Sequence, residues 1–199
     1  KIKELIEEEE VDPGLLKSAF IATNLISNAW TKRSNYLKKM PMKVVIAGLD
    51  YAGKTSLINR LMNVNYMSTV NIEPTKGAHV EEFESDRLNL VVWDLGGQTN
   101  HIDEYLTEPE KFFVQVDVLI FVIDAQDDKR YDQATKYLRD ILDILEFLNE
   151  FPYLMILLNK ADSDVVEDPD FQIKLEYLTD QITEIFTQRE KHWQFELTP

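Results

Sequence analysis

The stretch Gly48-Leu49-Asp50-Tyr51-Ala52-Gly53-Lys54-Thr55-Ser56 constrains this chain more than any other. A glycine, four residues, a second glycine, a lysine and a hydroxyl residue make the pattern of a phosphate-cradling P-loop. Glycine at both ends permits backbone conformations that turn successive N–H groups into one anion-sized concavity. The apolar run before it, 42–48, reads as a buried strand, and the stretch 54–64 after it as a helix. A helix starting there adds the positive end of its dipole to the concavity. Lys54 is placed to reach the β- and γ-phosphates of a nucleotide, and Thr55 to ligate Mg²⁺. A chance glycine–lysine match in a turn would not be expected to carry a strand on one side and a helix on the other.

Downstream the pattern alternates. Residues 79–84 and 88–94 read as two strands joined by a short turn, and 116–124 and 153–160 as buried strands. Residues 131–150 and 171–189 have helical periodicity, 95–115 is irregular or helical, and 193–197 opens a last strand. Apolar strands without polar alternation, separated by helices, imply an α/β fold with a mostly parallel central sheet covered by helices on both faces. Two units follow: an N-terminal helical extension over 1–41 and an α/β domain over 42–199.

Selection of the base rests on Asn159-Lys160-Ala161-Asp162, after the third buried strand beyond the P-loop. A carboxylate at Asp162 accepts from N1–H and the exocyclic amine of guanine together, whereas adenine offers no such donor pair. The Lys160 stem can lie along the base plane. Asp94-Leu95-Gly96-Gly97-Gln98 follows another strand. Asp94 suits Mg²⁺ through water, the Gly97 N–H a γ-phosphate, and Gln98 the orientation of an attacking water. Thr75, in the polar loop 65–78, suits the Mg²⁺ shell when a γ-phosphate is present. No arginine is placed at the γ-phosphate by sequence position alone.

Composition narrows the function classes. The 199 residues are 44% hydrophobic, enough for one core, and carry a formal charge of −15. Such acidity argues against a nucleic-acid partner. No cysteine is present, so disulfides and thiolate zinc sites are excluded, and a cytoplasmic setting fits. No apolar run approaches the roughly 18 residues of a membrane span, and the acidic start KIKELIEEEE lacks the apolar core of a secretory signal. Lys1 is not a methionine, so residues before it are expected. His79, His101 and His192 are widely spaced, with no metal-ligand pattern.

These stations in this order resemble the Ras superfamily of small GTPases over residues 42–199. GLDYAGKTS, the run Pro74-Thr75-x-Gly77-x-x-Val80-Glu81 and WDLGGQ look like the Arf and Arf-like branch. The long stretch after Gln98, with Tyr105-Leu106-Thr107 and Phe112-Phe113, and the ending FELTP look like the Rag/Gtr branch. The resemblance implies the P-loop (small G-protein) fold, with GTP or GDP and Mg²⁺ as ligands. It implies phosphate contacts from Asp50, Tyr51, Ala52, Gly53, Lys54, Thr55 and Ser56, and guanine contacts from Asn159, Lys160 and Asp162. It implies metal contacts from Thr55, Thr75 and Asp94, γ-phosphate sensing by Gly97, and a catalytic set of Gln98, Lys54 and Thr75. Arf-like proteins carry Asp where Asp50 stands and Ras proteins usually carry Gly. The family continues into a base-contacting loop and a last helix; this sequence stops at Pro199, just before both, so either they follow it or something else covers that sheet face.

What is implied is a GTP-hydrolysing switch with effectors, an exchange factor and an activating protein that supplies an arginine. The alternative is a scaffold that holds guanine nucleotide without turning it over, or a partner in a GTPase heterodimer. An ATP-using P-loop kinase is disfavoured by Asn159-Lys160-x-Asp162. Residues 13–40 combine helical periodicity (Leu15, Ala19, Ala22, Ile26, Ala29, Trp30, Leu37 and Met40 on one face) with positive charge. Three roles fit that helix: a membrane-surface contact like the N-terminal helix of Arf proteins, packing on its own domain, or binding a partner.

Overall fold

In the computed structural model, residues 18–24, 26, 41–61, 76–84, 89–190 and 193–198 are described. Six strands form one sheet: β1 Met42–Ala47, β2 Ala78–Glu84, β3 Asn89–Leu95, β4 Val118–Asp124, β5 Tyr153–Asn159 and β6 Phe195–Thr198. Their order is β2-β3-β1-β4-β5-β6, with β2 antiparallel to β3 and every other pairing parallel. Helices α1 (Lys54–Leu61), α2 (Thr99–Thr107), α3 (Pro109–Phe113), α4 (Tyr131–Phe147), α5 (Ser163–Val166) and α6 (Pro169–Thr187) connect them.

Strand side chains alternate faces, and here each face has its own core. Val45 and Ala47, with Leu119, Phe121, Ile123, Leu154, Ile156 and Leu158, meet α2, α3, α4 and α6 on one face. Met42, Val44 and Ile46, with Val118, Ile120, Val122, Met155 and Leu157, form the other. Burial on both faces explains why β1, β4 and β5 read as unbroken apolar runs.

Against the second face lie Leu57 and Ile58 of α1 and Ala19, Ala22 and Ile26 of an N-terminal helical segment. Those three residues belong to the apolar face read from the periodicity, and the side that presents them rests on the protein's own sheet. The other residues of that face, Leu15, Ala29, Trp30, Leu37 and Met40, lie outside the described residues, as do Thr75 and His192.

Several boundaries differ from the sequence reading. β4 opens at Val118 because the Asp117 carboxylate accepts from Lys43 N at 2.9 Å, a side-chain bond at the strand's start. The stretch 95–115 resolves into two helices separated at Glu108, where Pro109 takes the first position of α3. α4 closes at Phe147 rather than 150, and Asn149 has a positive φ of 56°. α6 starts on Asp168, whose carboxylate caps Asp170 N, with Pro169 next. No helix among the described residues is long and apolar enough to cross a membrane.

Candidate functional site

Strand order reverses at β1, which has β3 on one side and β4 on the other. Ligands of open α/β sheets sit beyond the carboxyl ends of strands at such a point. The ends of β1, β3, β4 and β5 deliver Gly48, Asp94, Asp124 and Asn159 to one edge of the sheet.

The loop after β1 is held closely on several sides. Gly48 has φ +139°, and a Cβ there would lie 2.1 Å from the Val122 carbonyl oxygen. Gly53 has φ +93°, and its Cβ would meet Asn159 Nδ2 at 2.3 Å. At Gly48 the obstacle is main chain, so any other residue would force the loop off its neighbour; at Gly53 it is the Asn159 side chain, and the positive φ itself favours glycine. Lys54 is buried and donates to the carbonyls of Gly48 and Leu49 at 2.9 and 2.7 Å. Burial pulls its pKa down to about 8, against the opposing pull of Asp94 and Asp50. Thr55 and Ser56 follow in the first turn of α1. Tyr51 is exposed, with φ +60°, and Ala52 is buried.

The segment after β3 comes against this loop. Thr55 Oγ1 donates to Asp94 Oδ2 at 2.6 Å, and Asp94 is buried. Asp50 N donates to the Gly97 carbonyl at 3.1 Å. A Cβ on Gly97 would stand 2.1 Å from Asp50 N and from the Leu49 carbonyl carbon, so only glycine fits. Gln98 precedes α2, and its carbonyl accepts from His101 N and Ile102 N. The Gly77 carbonyl accepts from Gly96 N, tying the start of β2 to the same place.

At the other end of the loop, Asn159 Nδ2 donates to the Ala52 carbonyl at 2.8 Å. Lys160, in a left-handed conformation with φ +63°, pairs through Nζ with Asp124 Oδ2 at 2.7 Å. Its carbonyl accepts from Gln126 Nε2. Asp162 stands at the start of α5, where its backbone carbonyl accepts from Val165 N and Val166 N. Every predicted site residue within the described part of the chain, from Asp50 to Ser56, Asp94, Gly97, Gln98, Asn159, Lys160 and Asp162, therefore lies at one edge of the sheet.

Three residues that the sequence reading did not single out join them. Asp124 holds Lys160. Arg130 Nη1 pairs with Asp50 Oδ1 at 2.5 Å, and Arg130 Nε with Asp127 Oδ2 at 2.5 Å. Asp124 was legible as a carboxylate ending a buried strand. Arg130 carried no signal, because its contact spans 80 positions.

The model of the ADP-ribosylation factor family matches residues 29–195 of this chain. The chain belongs to the Arf family. It is 34% identical to ADP-ribosylation factor-like protein 5 of Caenorhabditis elegans over 60% of its own length and 62% of the relative's. ADP-ribosylation factor-like protein 3 of the same animal shares 36% identity over 61% of each chain, and that of Chlamydomonas reinhardtii 34% over 63% and 66%. The chain thus spans under two thirds of the length of these curated relatives. The fold of this Arf-family chain is shared with the Arl6 (BBS3) small GTPase of Trypanosoma brucei, solved with bound nucleotide analogue GppNp. There the TM-score is 0.59 at 24% identity, covering 79% of this chain and 85% of the other. The mammalian SRP receptor shares it at TM-score 0.58 and 16% identity over 78% and 89%. Of the two branches that the motifs resemble, the Arf side is the one that these matches carry.

Proposed function

We propose that this Arf-family protein is a guanine-nucleotide switch that binds GTP and GDP with Mg²⁺ and hydrolyses GTP slowly on its own. The observation that carries the reading is the meeting of Lys54, Thr55 and Asp94, with the Thr55 hydroxyl 2.6 Å from the Asp94 carboxylate. A buried ammonium beside a hydroxyl and a carboxylate fits a phosphate and a hard cation together. Thr55 and Asp94, with Thr75 from the loop before β2, would hold Mg²⁺, which neutralises charge on the β- and γ-phosphate oxygens. Added Cβ atoms at Gly48, Gly53 and Gly97 would collide with neighbouring protein atoms, so bare glycines keep the loop that would cradle the phosphates closely packed.

Guanine would lie against Asn159, Lys160 and Asp162. Asn159 keeps this base loop in register with the phosphate loop through Ala52, and Asp124 holds the Lys160 stem in place. Gln98 orients a water in line with the γ-phosphorus. A bond forms from that water to phosphorus, the bond to the β–γ bridging oxygen breaks, and GDP and phosphate leave. Loss of the γ-phosphate removes what Thr75 and Gly97 contact, which releases their loops for exchange factors, activating proteins and effectors to read. A cytoplasmic protein, peripheral on a membrane, fits this role.

Single-turnover hydrolysis of preloaded GTP tests the reading. Conversion to GDP is expected in the wild type, and Gln98→Leu should slow it by about 100-fold while GTP stays bound. Hydrolysis unchanged in that variant removes Gln98 from its role. Bound GTP that never turns over, even with an activating protein, favours the scaffold reading.

A further inference from the structure

Asp50 presents an electrostatic problem. Its side chain is a carboxylate on the loop that, on the reading above, cradles a polyanion. Its place on that loop is specific. Ala52 faces the base loop through Asn159, whereas Asp50 N faces Gly97. A nucleotide stretched from Asp162 toward Asp94 and Gly97 would bring its terminal phosphate to the Asp50 end. Left alone, this carboxylate would oppose a third phosphate more than a second.

Arg130 answers the problem. It ends the short 3₁₀ turn Asp128–Arg130 between β4 and α4. Its Nη1 donates to Asp50 Oδ1 at 2.5 Å and its Nη2 to the Asp50 carbonyl at 3.2 Å. Nε donates to Asp127 Oδ2 at 2.5 Å, so the guanidinium plane is fixed from behind. Both side chains of the Asp50 pair are about three-quarters buried, at 29% and 26% exposure, which limits screening by solvent. Burial disfavours the guanidinium charge, but the two carboxylates outweigh it and its pKa stands above the ordinary value. The same planar fork grips both the side chain and the main chain of Asp50, through two separate nitrogens.

We infer that Arg130 is a positioning residue for triphosphate selectivity: it draws the Asp50 carboxylate away from the terminal phosphate and cancels its charge. The inference rests on the guanine-nucleotide reading of the site. It implies that Asp50 and Arg130 act as one unit, and that removing each alone has opposite effects on the preference for GTP over GDP. Loss of the arginine releases a negative charge beside the third phosphate. Loss of the carboxylate leaves a positive one there.

Fluorescent GDP and a fluorescent non-hydrolysable GTP analogue, titrated with Mg²⁺ onto the protein, test this. Arg130→Gln should weaken the triphosphate about 10-fold more than the diphosphate, the scale of one charge contact a few ångström away that water still largely screens. Asp50→Asn should raise the triphosphate preference, and the double variant should return near the wild-type ratio. Should Arg130→Gln fail to fold, Asp50→Asn alone still decides, since a fall or no change in preference overturns the inference. Equal losses for both nucleotides, with no rescue in the double variant, also overturn it and leave the site reading intact. A wild type that binds neither nucleotide defeats the site reading itself.

Discussion

Lys54 carries its charge in a buried place, and burial works against that charge. Its folded pKa of about 8 lies below the ordinary lysine value of 10.5, with burial the main cause. Below pH 8 both folded and unfolded chains hold the proton, and the burial penalty is present in full. Between 8 and 10.5 the unfolded chain binds more protons than the folded one, so stability of the nucleotide-free protein rises with pH. The gap in unfolding midpoint between the wild type and Lys54→Met should therefore move in favour of the wild type from pH 7 to pH 9. A gap that stays constant would contradict the buried-charge account. Asp162 offers a second test at this scale. On the proposed base site, Asp162→Asn turns a carboxylate placed to accept two guanine donors into a half donor, so GTP affinity should fall about 100-fold while xanthosine triphosphate gains. Competition binding with both nucleotides reads this directly. Identical affinities in variant and wild type would remove Asp162 from the base site.

Among the elements, the N-terminal helical segment shows how far periodicity carries. The spacing of Ala19, Ala22 and Ile26 announced one apolar face, but three destinations fitted it. In the fold these residues are buried with Val44, Ile46, Val118 and Ile120, on the same sheet face as α1. Small side chains at 19 and 22 suit a close approach of helix to sheet. Ile26, 4% exposed, fills the contact, and Ile26→Ala should destabilise the domain by about 2–4 kcal/mol. Chemical denaturation measures it; a loss under about 0.5 kcal/mol would mean that the segment contributes little to the core. β1, β4 and β5 were legible because burial on both faces leaves an unbroken apolar signature. The start of β4 was not, because Val116 is apolar and buried while Asp117, bonded to Lys43 through both main chain and side chain, stands just before the strand.

At the scale of the molecule, the site exists only where four strand ends converge. A ligand bridging those loops stabilises the folded state by mass action, by about 2.7 kcal/mol at 100 times its dissociation constant. For a domain of this size that corresponds to roughly 5–10 °C in the unfolding midpoint. GTP or GDP with Mg²⁺ should produce the shift and ATP should not; an equal shift with ATP would overturn guanine selectivity. The sequence by itself determined the glycine loop at 48–56, the loop at 159–162, the Asp94–Gln98 segment and the mostly parallel sheet. Each of these is local, a backbone geometry or an apolar period written within about ten neighbouring residues. The tertiary structure decided which loops touch: Asn159 on Ala52, Gly97 on Asp50, Lys160 on Asp124 and Arg130 on Asp50. Those contacts join residues 36 to 107 positions apart, and no local propensity encodes them. They arise because parallel strands deliver their carboxyl ends to a single edge, where short side chains and bare glycines let the loops close on one another.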